Sequence, residues 1–258
     1  MNKSMNFTTP WPMLTSMTIL STCLSLIASM NYTENNTTNP SWLGLKLSII
    51  MMTLTLYYWS RDSMRDSTTG AYTNNISSNT KLAMILFLTT EAFFFMTFFW
   101  MFLSSALIPE QGMWPPISLN TPSPLGVPSL NTILLVTSSA TVTMSHFQTN
   151  LPNGKPLNWL SLTLMLSILF ITVQYLEYYS STFTMSSGVN GSIFFMTTGF
   201  HGLHVLLGST ALMTCLLLMN QHKYSNTSLN SYEMSIWYWH FVDAVWLMLY
   251  TIFYCWGS

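Results

Sequence analysis

The chain has 258 residues, half of them hydrophobic, with seven Lys or Arg and eight Asp or Glu; 6% is charged, where a soluble domain carries roughly 25%. That composition describes a membrane protein and excludes a cytosolic enzyme, and a net charge of −1 leaves no basic surface for nucleic acid. At about 20 apolar residues per crossing, the length admits about seven or eight helices and no sizeable soluble domain.

Apolar runs bounded by Pro, Asn, Gly or charge predict spans at about 11–30, 42–59, 82–108, 130–147, 159–179, 193–219 and 236–256. The fold expected is all-α and polytopic, with seven transmembrane helices. Many spans are rich in Ser and Thr, which lipid tolerates because a hydroxyl can bond the carbonyl one turn back. Trp11, Trp42, Trp59, Trp159, Trp237 and Trp256 sit near the expected ends, at the depth indole prefers. Cys23, Cys215 and Cys255 lie in apolar stretches, form no CxxC pair and read as small core residues.

With seven crossings, Lys3, Arg61, Arg65, Lys81, Lys155 and Lys223 all fall on the side of the N-terminus. Lys46 is the exception, placed where its stem can snorkel to the surface. The N-terminus is therefore expected to face the cytoplasm or an equivalent compartment. The polar connection 61–80 is the longest on the basic side and divides a two-helix unit from a five-helix unit. The boundaries expected are 1–66, a linker at 67–80, and 81–258. On the other side, the Pro-rich stretch 109–128 cannot be helical throughout.

Ionisable groups deep in a bilayer are costly unless paired or neutralised, so the few present are informative. Glu91 lies in the third span, His201 and His204 in the sixth, and His240 and Asp243 in the seventh. Each of the latter two pairs is spaced i,i+3 and projects from one face. On the sixth span that face continues as Thr197, His201, His204, Gly208, Ala211 and Cys215, a small and polar stripe suited to helix packing. The histidines read either as metal or haem ligands or as interhelical hydrogen-bonding groups that satisfy one another and Asp243. Glu91 reads as a proton-relay carboxylate, as a lipid-facing group, or as a neutral acid held by a hydrogen bond. Glu177, near the end of the fifth span, reads as an exposed carboxylate serving packing or headgroup contact. Arg61, Asp62, Arg65 and Asp66 read as a positive-inside anchor or as an anionic-phospholipid headgroup site, with Trp59 beside them.

Three segments carry a resemblance: Glu91-Ala-Phe-Phe-Phe-Met-Thr-Phe-Phe-Trp-Met-Phe102, Gly199-Phe-His-Gly-Leu-His-Val-Leu-Leu-Gly-Ser209 and Trp239-His-Phe-Val-Asp-Ala-Val-Trp-Leu-Met-Leu-Tyr250. In content, order and spacing they closely resemble subunit III of the haem-copper cytochrome c oxidase. Weaker agreement at 61–69, Trp114-Pro-Pro116, Glu177-Tyr-Tyr179 and Trp256-Gly-Ser258 extends it over nearly the whole chain. The closing Trp-Gly-Ser looks like the mitochondrially encoded form.

The resemblance implies two helices set apart from five by a V-shaped cleft that holds phospholipid. It implies a non-redox subunit, without a catalytic centre or metal of its own, in the mitochondrial inner membrane, with the N-terminus in the matrix and the C-terminus in the intermembrane space. Haem a, haem a3 and copper then belong to partner subunits I and II. The role implied is to stabilise the catalytic core, alongside accessory subunits, and to support proton uptake by subunit I. Arg61, Arg65, Trp59 and Glu91 become lipid-binding candidates, while His201, His204, His240, Asp243 and Glu177 become structural. The chain departs from the family pattern at Ser104-Ser105-Ala106, Gly70-Ala-Tyr72 and Leu217-Leu-Met-Asn220, where the family has histidine, histidine and arginine respectively. Two readings from other classes are a stand-alone metal or haem enzyme using His201, His204 and His240, and a proton-coupled transporter built around Glu91 and Asp243.

Overall fold

A computed structural model describes residues 9–34, 42–68, 74–107, 112–115, 121–221 and 229–257. Lys3, Gly70-Ala-Tyr72, Pro116, His222, Lys223 and Ser258 lie outside them. Among the described residues there are seven long helices and no strand: α1 Trp11–Glu34, α2 Leu43–Thr68, α3 Asn74–Leu107, α4 Val127–Thr149, α5 Pro156–Ser180, α6 Val189–Asn220 and α7 Asn230–Leu249. The last continues as a π-helical segment, Tyr250–Cys255. The chain is an all-α polytopic membrane protein.

The helices form where the apolar runs predict them, and their Ser and Thr behave as lipid requires. Thr15 bonds the Trp11 carbonyl, Ser167 that of Leu164 and Thr197 that of Ile193, all within 3.0 Å. Proline stands in the first turn of α4 and α5, where its missing N–H costs nothing. Gly188 enters α6 at φ 112°, a conformation that favours glycine. Six helical segments among the described residues are long and apolar enough to cross a membrane. The exception is α2, whose apolar run is diluted by Lys46, Tyr57, Tyr58 and the charged residues from Arg61 onward. Helix α3 starts at Asn74, inside the stretch expected to be linker. Hydropathy marks only the depth at which lipid begins, and the helix extends beyond it.

The chain divides into two compact units, Met1–Asn74 and Asn75–Ser258. In the first, α1 packs on α2. Ser25 and Ser48 hydroxyls meet at 3.0 Å, and Trp11 stacks on Tyr58. In the second, α4 packs on α5 and α7, and α6 packs on α5 and α7, closing a ring of four helices. Helix α3 joins this ring through long side chains. Phe95 meets His204, Phe102 stacks on Phe253 at 4.3 Å, and Lys81 pairs with Glu233 in the first turn of α7 at 2.6 Å. Of the three cysteines expected in the core, only Cys215 is buried. Cys23 and Cys255 lie on the surface, because an apolar run in a lipid-immersed helix does not say which face points inward.

Candidate functional site

Glu91 and His204 meet between α3 and α6. Glu91 Oε2 lies 3.1 Å from His204 Nε2. The other ring nitrogen fixes the chemistry: His204 Nδ1–H donates to the Phe200 carbonyl one turn back, at 2.7 Å. Nε2 therefore faces the carboxyl, and the contact ties α3 to α6. Phe95 packs edge-on to the His204 ring and Tyr238 stacks at 6.2 Å, so the junction is walled by aromatics. The His204 side chain is 9% exposed and that of Glu91 24%, which leaves one edge of the carboxyl open.

The other histidines find separate partners. His201, 1% exposed, donates from Nε2 to the Val242 carbonyl of α7 at 3.2 Å and lies against Trp246. His240 Nδ1 shares a hydrogen bond of 2.7 Å with the Ser139 hydroxyl of α4. The expectation that His201, His204, His240 and Asp243 satisfy one another is therefore corrected. The two i,i+3 pairs sit on neighbouring helices, but His201 turns to α7, His204 to α3 and His240 to α4. The α6 stripe itself is a packing surface: a Cβ added at Gly208 would lie 2.9 Å from the Trp239 ring. Among the described residues no group of three or more His, Cys, Asp or Glu could hold a metal ion.

For Glu177 the expected exposure is corrected, while the packing reading stands apart from it. The residue is 5% exposed rather than solvated, and its Oε1 accepts the Tyr254 hydroxyl at 2.6 Å. The fold brings the C-terminal segment back over α5, a long-range return that the local sequence does not announce.

Arg61 and Trp59 stand in the final third of α2. Arg61 donates from Nε and Nη2 to one oxygen of Asp62, at 3.0 and 2.9 Å, and its guanidinium lies 4.8 Å above the Tyr58 ring. Arg65 is exposed, and Trp59 is 39% exposed. The three form a cationic and aromatic rim of the kind found at a bilayer interface.

The family model for cytochrome c oxidase subunit III matches residues 3–258. The chain belongs to the cytochrome c oxidase subunit III family. Curated relatives bearing the name cytochrome c oxidase subunit 3 include those of Lycodon semicarinatus and Struthio camelus. Each is 41% identical over 254 residues, covering 96% of this chain and 95% of the relative. The relative from Cyprinus carpio is 43% identical over 219 residues, 83% of this chain and 84% of its own.

Within this subunit III chain several polar partners were not visible to sequence reasoning. Ser139 and Tyr254 looked like ordinary span residues and Asn190 lay just before the sixth expected span, yet each completes a tie between helices. Asn190 Oδ1 accepts the Ser105 hydroxyl at 2.8 Å, linking α6 to α3 at the place where the family pattern has a His-Ser-Ser run. Only pairing across helices identifies such residues. Among the charged pairs, Lys81 was named in the sequence only as one of the basic residues, and its partner Glu233 was not singled out.

Proposed function

We propose that this chain is the non-redox core subunit of a respiratory cytochrome c oxidase, the complex that couples electron transfer from cytochrome c to oxygen with proton pumping. Its place is the mitochondrial inner membrane, with the N-terminus in the matrix and the C-terminus in the intermembrane space. Its partners are subunits I and II, accessory subunits and phospholipid, and haem a, haem a3 and copper reside on those partner subunits. It stabilises the catalytic core, holds phospholipid and supports proton uptake by subunit I.

The carrying observation is how the membrane-depth imidazoles are used. His201, His204 and His240 each turn a ring nitrogen to a protein group on a neighbouring helix, Val242, Glu91 and Ser139 respectively. Used this way they tie helices together, which is the work of a scaffold. Family membership over residues 3–258 supports the assignment to the oxidase complex. The Arg61, Arg65 and Trp59 rim supports lipid holding, since arginine forks match phosphate and indole prefers the headgroup level. Glu91, with one edge open, would border an acyl chain.

The test is native purification through a tag on this chain, with optical difference spectra and metal analysis before and after the chain is stripped from its partners. Haem and copper should co-purify with the complex and stay with the partners. Metal or haem retained stoichiometrically on the isolated chain would overturn the reading in favour of a stand-alone metalloenzyme.

A further inference from the structure

At the end of α5 remote from Lys155, a cavity of about 250 Å³ is lined by Thr121, Pro122 and Val127 on one side and by Glu177, Ser181 and Phe183 on the other. It is distinct from the Glu91 junction and from the Arg61 rim. Glu177 supplies one wall. Its Oε1 is taken by Tyr254, but its Oε2 is buried with no hydrogen-bond partner. Thr121 Oγ1 lines the same cavity and is likewise buried without a partner.

Apart from that of Thr121, the hydroxyl protons of Ser180, Ser181 and Tyr178 are already spent inside the protein. Ser180 donates to the Glu177 carbonyl at 3.2 Å, Ser181 to the carbonyls of Tyr178 and Phe183 at 2.8 and 3.1 Å, and Tyr178 to Thr198 at 2.6 Å. What these groups still offer is oxygen lone pairs. Among the described residues no cation is paired with Glu177. A buried carboxyl oxygen in acceptor-rich surroundings needs a proton, a donor or a positive charge to repay its lost hydration, and a bound cation is the one of these that also uses the surrounding lone pairs.

We propose that this cavity binds a hard metal cation through oxygen, with Glu177 Oε2 as the charged ligand and Thr121 Oγ1 as a neutral one. An all-oxygen set with a single carboxylate suits ions of the calcium or sodium type; zinc and copper prefer imidazole and thiolate, and neither lines the cavity. At about 30 Å³ per water, the volume lets such an ion keep part of its hydration shell.

The test uses the assembled complex that contains this chain, titrated with Tb³⁺, an oxygen-seeking ion whose luminescence is sensitised by nearby tyrosines such as Tyr254 and Tyr178. Calcium is the competitor. Glu177→Gln is expected to lose one sensitised site that calcium displaces in the parent protein, and Thr121→Val to raise the titration midpoint roughly tenfold. Equal site number and midpoint in the parent and both variants would overturn the proposal and leave the cavity to water. If Glu177→Gln fails to assemble, Thr121→Val decides alone. Its hydroxyl has no hydrogen-bond partner among the described residues, so the variant should assemble, and an unchanged midpoint would then refute the site.

Discussion

The two units of this chain are built on different packing principles. In the second, the interior is filled by large rings: Phe95, Phe102, Phe170, Trp239, Trp246 and Phe253 are each no more than 1% exposed. In the first, the buried residues among those described are Thr15, Ser29 and Ser48, and large side chains such as Met13, Leu24, Ile50 and Leu54 point outward. Two helices cannot enclose a large side chain, so α1 and α2 approach through small residues and leave their apolar faces to lipid. Five helices can enclose a core, and polar ties such as Glu91–His204 then fix their register. Lipid tails are as apolar as leucine, so dispersion and hydrogen bonds, more than exclusion of water, distinguish inside from outside.

The sharpest way to break this contrast is at Trp239, which is fully buried and donates from Nε1 to Ser138 at 3.1 Å. Trp239→Ala should destabilise the five-helix unit by about 3–5 kcal/mol. The expected readout is a large fall in the thermal midpoint or yield of the assembled complex; an unchanged midpoint would show that α4, α6 and α7 are held by something other than their rings. Gly208→Ala attacks the same contact by addition. Its Cβ would meet the Trp239 and Tyr238 rings at 2.9 to 3.3 Å, so a loss of about 1–3 kcal/mol is expected in the same melt. A neutral outcome there would mean that α6 and α7 slide apart freely.

The polar ties should matter less, and in a way that depends on chemistry rather than volume. Since His204 Nδ1–H is spent on Phe200, its Nε2 can accept from an amide. Glu91→Gln therefore keeps a bond of the same shape, and assembly and initial electron transfer should be largely intact. Glu91→Leu removes the partner and should cost about 1–2 kcal/mol. Loss of the assembled complex in the Gln variant would show that the carboxyl itself, not its hydrogen bond, is required.

Much of this was legible in the sequence, for reasons that also mark where it stopped. The helices followed from apolar runs, because a bilayer demands a minimum length of them. The α6 stripe was legible because Gly208, His204 and His201 recur at helical spacing, and all three are buried. The partners of those residues were not, because spacing fixes a face but not the helix it meets. Glu177 was misread for the same reason: its position near a helix end implied solvent, and only the return of Tyr254 covers it. Helix α2 shows the converse. The apolar run at 42–59 predicted a span, and a helix forms there, but its apolar content falls short of that of the other six.

Within the two-helix unit, the Ser25–Ser48 bond of 3.0 Å is the counterpart of Glu91–His204. Interhelical hydrogen bonds in membranes average about 0.6 kcal/mol, because each hydroxyl can fall back on its own helix. Ser25 and Ser48 both stand within reach of such a carbonyl, at Thr22 and Leu45, so one of the two protons is shared between the helix and the interhelical contact. Ser48→Ala should therefore barely change amide exchange in α1 and α2, whereas Ser48→Leu, at a position 5% exposed, should accelerate it. Equal exchange in both variants would mean that small residues do not set this contact.

The smallest effect on stability is expected at the arginines. Arg61 is held by its sequence neighbour Asp62 with both side chains about one-third exposed, and such pairs contribute little to folding. Replacing Arg61 and Arg65 jointly by Ala should leave the melt of the complex unchanged. If the rim serves headgroups, the loss should appear in lipid instead: two forks matched to phosphate are removed while Trp59 and Tyr58 remain to hold the helix at the interface. Mass analysis of the purified complex should then find less anionic phospholipid per protein. Unchanged lipid with an unchanged melt would reduce the two arginines to orientation signals, read once during insertion and idle afterwards.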